Sequence, residues 1–221
     1  MEQQATRVLA IRHGETAWNV DTRIQGQLDI PLNDTGRWQA ERLAAAVADE
    51  GVTAVYSSDL LRAHQTAQAL GQATGLPVHT DTALRERGFG EFQGHTYKEI
   101  QARWPEQSER WRKRDPDFQP GGHGESLRVF FERCVTIASR LATAHPGETI
   151  ALVAHGGVMD CLYRAASRLD LQAARSWQLG NASINRLLYT EGGFTLIGWS
   201  DTSHLDQGSL DESNDRVGHA A

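Results

Sequence analysis

Five side chains in this sequence have the chemistry to hold and transfer a doubly charged oxyanion: Arg12, His13, Arg62, Glu86 and His155. Guanidinium forks match phosphate oxygens in bidentate fashion. A neutral imidazole can attack phosphorus, and a carboxyl group beside it can pass a proton. Each has a plainer reading when taken alone. His13 could pack at a strand end, Arg62 could be a cation on a helix surface, and His155 could be a capped core histidine. Glu86 could simply pair with its neighbour Arg85 or Arg87. What joins them is position, because each falls just after a strand or in the first turn of a helix. In an open α/β sheet the carboxyl ends of the strands converge on one edge, where ligands bind.

The elements that must do this positioning follow from periodicity and punctuation. The apolar run 8–11 reads as a first buried strand. It ends in Arg12-His13-Gly14, where Gly14 lets the backbone approach a ligand. Polar turn residues fill 19–36. Asp34 or Thr35 is expected to cap a helix carrying Trp38, Leu43, Ala44 and Val47 at helical spacing, stopped by Gly51. Residues 52–56 form a second strand, and Ser57, Ser58 or Asp59 would cap a helix over about 60–73 with Arg62 in its first turn. A third strand is expected near 77–79, followed by a glycine-rich loop holding Glu86.

From 96 to 124 the pattern is helical but broken by Pro105, Pro116 and Pro120. A long amphipathic helix over about 125–145 leads to the fully apolar strand 149–154, which runs straight into His155-Gly156-Gly157. A helix follows over about 158–169, and strands 184–189 and 194–199 make a late hairpin. This order predicts an α/β fold, a three-layer sandwich whose mostly parallel sheet carries helices on both faces. One domain is expected over residues 1–206, with 207–221 a polar, mobile tail.

Composition narrows the function classes. A chain of 221 residues is long enough to bury a sizeable core, and 39% hydrophobic against 23% charged residues is ordinary for a globular protein. The net charge of −6 argues against binding nucleic acid through bulk positive charge. Much of that excess lies in residues 201–221, which hold five carboxylates against Arg216. Any anion site must therefore come from local clustering of arginine and histidine. No apolar run reaches about 18 residues, so no membrane span is expected. Residues 1–4 lack the basic start and apolar stretch of a signal peptide, which predicts a cytoplasmic protein. Cys134 and Cys161 lie in apolar helical patterns and read as two buried thiols. Paired cysteines, a His-Glu-x-x-His helix and a phosphate-binding loop ending in Gly-Lys-Ser/Thr are all lacking, so neither metal nor cofactor is expected.

Together these stretches resemble the histidine phosphatase (phosphoglycerate mutase-like) superfamily. The likeness rests on Arg12-His13-Gly14-Glu15-Thr16 with Trp18-Asn19, and on Ser57-Ser58-Asp59-Leu60-Leu61-Arg62-Ala63 with Gln65-Thr66-Ala67. It continues through Arg85-Glu86-Arg87 with Phe89-Gly90, through Gly124-Glu125-Ser126 and through His155-Gly156. Ser203-His204-Leu205-Asp206 is similar to the small bacterial members that act as phosphatases. The resemblance implies that His13 is the nucleophile and Glu86 the proton donor and acceptor. It implies that Arg12, Arg62 and His155 hold the phosphoryl oxygens, with Asn19, Thr16, Gln25, Gly26, Gly156 and Phe89 contacting a small phosphorylated substrate. Glu86 must be protonated to act first as an acid, which burial and a dianion favour and the arginines oppose.

The resemblance covers both mutases and phosphatases. Mutases of this type carry a tyrosine where this chain has Phe89, an asparagine at Gly157 and a lysine at Tyr97. Their segment between the glutamate and the second histidine is also longer. Trp111-Arg112-Lys113 resembles the basic pair with which mutases grip a second phosphate, although a solvated helix face would read the same way. The balance predicts a phosphatase, with a mutase as the alternative reading and a catalytically weak binding protein as a third.

Overall fold

The computed structural model describes residues 4–206. The expected tail at 207–221 lies outside the described residues. Strand β1 (Thr6–Arg12) is followed by a one-turn helix α1 (Ala17–Val20) and by α2 (Asp34–Val47). Then come β2 (Val52–Ser57), α3 (Leu61–Thr74) and β3 (Val78–Thr80). Two short helices, α4 (Tyr97–Arg103) and α5 (Pro105–Arg112), precede α6 (Leu127–Thr143). The chain closes with β4 (Thr149–Ala154), α7 (Gly156–Ser167), β5 (Ile184–Thr190) and β6 (Gly193–Asp201).

The six strands form one sheet in the order β3-β2-β4-β1-β5-β6. Strands β1 to β4 are mutually parallel, while β5 runs antiparallel to both β1 and β6. Alternation along β1 shows the three layers directly. Val8 and Ala10 pack with residues of α6 and α7 on one face, whereas Leu9 and Ile11 pack with α2 and α3 on the other. A smaller aromatic cluster of Phe92, Ile100 and Phe118 anchors the insert between β3 and α6. Among the described residues no helix is long and apolar enough to cross a membrane.

Neighbouring β1 and β4 send their following helices to opposite faces, α2 to one and α7 to the other. That divergence opens a crevice at the carboxyl ends of the two strands, the position where ligands of doubly wound sheets bind.

Local details differ from the sequence expectations. Asn33, not Asp34 or Thr35, caps α2 by accepting a bond from the Gly36 N–H at 2.8 Å. Helix α3 has no side-chain cap of its own. Asp59 turns away to pair with Arg85, and the Leu61 N–H reaches Asp29 instead, at 2.6 Å. Helix α7 starts two residues earlier than expected, at Gly156. His155 is therefore its N-cap residue, and the two following glycines present helix-start N–H groups, that of Gly157 being taken by Glu86.

Candidate active site

The register of β1 against β4 brings the two histidines together. Arg12 pairs with Ala154, so the next residue on each strand, His13 and His155, emerges side by side. Their ring centroids are 5.3 Å apart in an edge-on arrangement. The His13 N–H donates to Ala154 O at 3.0 Å. The His13 Nδ1–H donates to its neighbour's carbonyl, Gly14 O, at 2.6 Å, which leaves Nε2 as the ring's free lone pair. Gly14 is required by close packing, since a Cβ there would lie 2.5 Å from Gly36 O. Burial, and then the nearby guanidiniums of Arg62 and Arg12, push the His13 pKa well below 6.5. Both effects hold the ring in the neutral, nucleophilic form.

His155 is fully buried behind His13 rather than in the open wall. Neither of its ring nitrogens has a partner, and burial together with Arg62 keeps the ring neutral. The arginines are fixed by main-chain carbonyls. Arg62 donates to Leu28 O at 2.8 Å and to Gly26 O at 2.7 Å, and Arg12 donates to Leu179 O. In both, the Nε atom is buried and unpartnered. Desolvation lowers each pKa to about 10, so both remain cations at neutral pH. Unspent donors on neutral and cationic groups around one point are what a phosphate oxygen would satisfy.

Glu86 is held from two sides. Its Oε1 accepts from the N–H of Arg87 at 2.8 Å and its Oε2 from the N–H of Gly157 at 2.9 Å. The loop that carries it is braced by Arg133, which donates to the carbonyls of Ala83 and Arg85 and pairs with Glu125 at 2.7 Å.

These groups open onto a cavity of about 630 Å³. Its wall includes Arg12, His13, Arg62 and Glu86, and also the expected Asn19, Gln25, Gly26, Gly156 and Phe89. Thr16 is a correction. It is fully buried below the wall, caps α1, and donates to Asn19 Oδ1 at 3.0 Å, so it orients Asn19 instead of facing the cavity. Of the aromatic residues in the insert, Phe89, Tyr97 and Trp111 line the cavity, while Phe118 is core and Trp104 packs against that core. Arg112 and Lys113 do not reach it, and Lys113 pairs with Glu109 at 2.8 Å on the same helix face. Among the described residues no three His, Cys, Asp or Glu side chains are grouped to hold a metal ion. Cys134 and Cys161 are buried free thiols.

Sequence reasoning missed Arg87, Arg114, Asp160, Arg175 and Trp177, all in the wall. Asn181 was missed as well, and its side chain donates to His13 O at 3.0 Å. Arg175, Trp177 and Asn181 lie between α7 and β5, a stretch without periodicity or motif.

A crevice at the switch of a parallel sheet, lined by a neutral imidazole, two desolvated arginines and a tethered carboxylate, has the chemistry for phosphoryl transfer. The chain belongs to the histidine phosphatase superfamily (branch 1), which it matches over residues 8–202. It is 40% identical over 203 residues to phosphoglycerate mutase-like protein 4 of Arabidopsis thaliana, covering 90% of this chain and 87% of that one. It is 36% identical over 214 residues to a probable phosphoglycerate mutase of Yersinia enterocolitica, covering 93% and 98%. Among solved structures, a mycobacterial glucosyl-3-phosphoglycerate phosphatase bound to VO3 superposes with a TM-score of 0.79 at 34% identity, covering 89% of this chain and 99% of that one.

Proposed function

We propose that this protein is a metal-independent phosphomonoesterase acting on small phosphorylated metabolites through a phosphohistidine at His13. The observation that carries the reading is the His13 ring itself: neutral, with Nδ1 tied to Gly14 O and Nε2 left free beside Arg12 and Arg62. In the first step Nε2 bonds to phosphorus as the ester P–O bond breaks, and the departing oxygen takes a proton from the Glu86 carboxyl. In the second, water attacks phosphorus, its proton passes to Glu86, and the P–N bond breaks to release phosphate. Two displacements at low barriers replace one difficult hydrolysis. Arg12, Arg62 and His155 act on charge building up on the phosphoryl oxygens, the main source of rate in such transfers. Asn19 and the Gly156 N–H would supply further donors, with Gln25 and Gly26 at the entrance and Phe89 against the substrate body.

Hydrolysis rather than mutase chemistry is supported at Gly157. A Cβ there would lie 2.2 Å from Glu86 Oε1 and 2.9 Å from the Phe130 ring, so the asparagine that mutases carry would displace the carboxylate. The names of the relatives keep the mutase as the second reading. The test is to incubate the enzyme with a phosphoglycerate, with and without a bisphosphate primer, and to follow both products. Free phosphate without isomer supports the phosphatase. Primer-dependent isomerisation with little free phosphate would replace it with the mutase.

A further inference from the structure

Some residues of the cavity wall carry buried polar atoms that the protein leaves unsatisfied. Arg12 Nε, Arg62 Nε and Gln25 Oε1 belong to the phosphate end and the entrance already described. Two more, Asp160 Oδ1 and Trp177 Nε1, stand apart from that group and have no hydrogen-bond partner among the described residues. A buried donor or acceptor without a partner costs stability unless a ligand satisfies it.

Asp160 lies on α7 four residues beyond Gly156, so the two share a helix face about 6 Å apart along the axis. Its carboxylate is 6% exposed. One oxygen, Oδ2, is fully engaged: Arg164 Nε donates to it at 3.0 Å and Arg114 Nη2 at 2.9 Å. The same two arginines donate to the main chain of the loop after α7, Arg164 to Ala173 O at 2.9 Å and Arg114 to Leu171 O at 2.7 Å. They hold that loop, and Trp177 within it, against the helix. The Trp177 ring stacks on Tyr163 at 4.0 Å, and the Arg164 guanidinium lies 4.8 Å from its centre. Asp160 and Trp177 are thus fixed around one buried guanidinium, the carboxylate with its charge compensated and one oxygen unspent.

A carboxylate oxygen only accepts and an indole N–H only donates, and a hydroxyl is the neutral group that does both. A carboxylate or phosphate oxygen would meet the lone pairs of Oδ1, and an alkyl chain would leave both atoms unsatisfied. We infer that Asp160 and Trp177 are specificity-determining residues that read hydroxyl groups on the alcohol portion of the ester. One hydroxyl, or two neighbouring ones, donates to Asp160 Oδ1 and accepts from Trp177 Nε1. This specificity rests on the phosphatase reading and narrows it: phosphate esters of polyhydroxylated alcohols are preferred over otherwise similar esters that lack the hydroxyl. The preferred hydroxyl lies a few carbons from the ester oxygen, because Asp160 is one helical turn from the Gly156 N–H.

The test compares matched pairs that differ in hydroxyls alone, glycerol 3-phosphate with propyl phosphate and ribose 5-phosphate with 2-deoxyribose 5-phosphate. Wild-type kcat/KM should favour the hydroxylated member of at least one pair by about tenfold, the size of one hydrogen bond to a charged group. In Asp160→Asn the amide oxygen turns to the two arginines and an NH2 replaces the free acceptor, so the ratio should fall by about tenfold, chiefly through KM. Trp177→Phe removes the N–H and keeps the ring on Tyr163, and should lower the ratio by about fivefold, the size of a neutral hydrogen bond. Trp177 is only partly buried, so this variant decides the matter even if Asp160→Asn fails to fold. Calorimetric binding of the same pairs to His13→Ala protein, with and without Trp177→Phe, gives the answer even if nothing is hydrolysed. Loss of all hydrolysis with the binding preference intact would remove the phosphatase reading and leave the hydroxyl contacts standing. Equal treatment within both pairs, or a preference that Trp177→Phe or folded Asp160→Asn leaves in place, would overturn them.

Discussion

The Glu86 carboxylate accepts a 2.9 Å hydrogen bond from the N–H of Gly157, at the start of the helix that follows His155. The two residues are 71 positions apart in the chain. The bond ties the Glu86 carboxylate to the strand-helix junction that also presents His155. Gly157 is needed at this contact, because a side chain would occupy the place of the carboxylate.

Gly157→Ala should therefore lower kcat by on the order of 10²-fold, the lower part of the range that general acid–base catalysis contributes. KM for a simple phosphate ester should change little, since the phosphate contacts do not pass through Glu86. Steady-state kinetics on glycerol phosphate check this. A normal kcat would mean that Glu86 either stays in place or carries no proton.

Acid should destabilise the fold through its two central imidazoles. Burial lowers the pKa of both His13 and His155 well below 6.5, so the unfolded chain takes up protons there that the native state does not. Stability then rises with pH across this window and is lost as pH falls below about 6.5, by about 1.4 kcal/mol per pH unit for each ring. Urea unfolding at pH 7.5 and 5.5 should show a shallower dependence in His13→Gln and in His155→Gln than in wild type. Identical pH slopes in all three proteins would contradict neutral burial.

Thr16 orients Asn19 from below the cavity, through an O–H bond to Asn19 Oδ1. Thr16→Val removes that bond and the cap of α1 while keeping the shape of the side chain. A several-fold rise in KM is expected, with a loss of about 1 kcal/mol in stability from the missing cap. Kinetics paired with urea denaturation check it. Unchanged KM would show that the remaining bonds to Asn19 Oδ1, from the Thr16 backbone N–H at 3.0 Å and from Asn181 at 3.3 Å, suffice to position it.

Chelators should leave activity unaltered, because the proposed mechanism draws its positive charge from Arg12 and Arg62, with neutral donors around them. Assay after prolonged EDTA treatment and desalting tests this. Loss of activity restored by a divalent cation would refute the metal-free scheme.

The parts of the site that sit on regular elements were legible in the sequence. Arg12-His13 and His155 each follow an apolar run, so strand periodicity alone places them at the sheet edge, and parallel pairing does the rest. Arg62 was legible from its place in a helix's first turn. Thr16 came as a substrate contact with the family resemblance, whereas here it is buried and caps a helix only four residues long. Arg87 looked like a partner for Glu86. Its real contacts, Phe118 and Glu125, are 31 and 38 residues away and leave no local signal. Arg175 and Trp177 belong to a stretch with no repeating pattern, so only the folded chain reveals that they line the cavity.

The most direct measurement is to trap the phosphoenzyme. Enzyme mixed with a phosphate ester, quenched in alkali and digested, should carry one phosphoryl group on the peptide containing His13, at a ring nitrogen, and lose it in acid. His13→Ala should show neither the modification nor turnover. Phosphate on another residue, or turnover surviving in His13→Ala, would contradict the account.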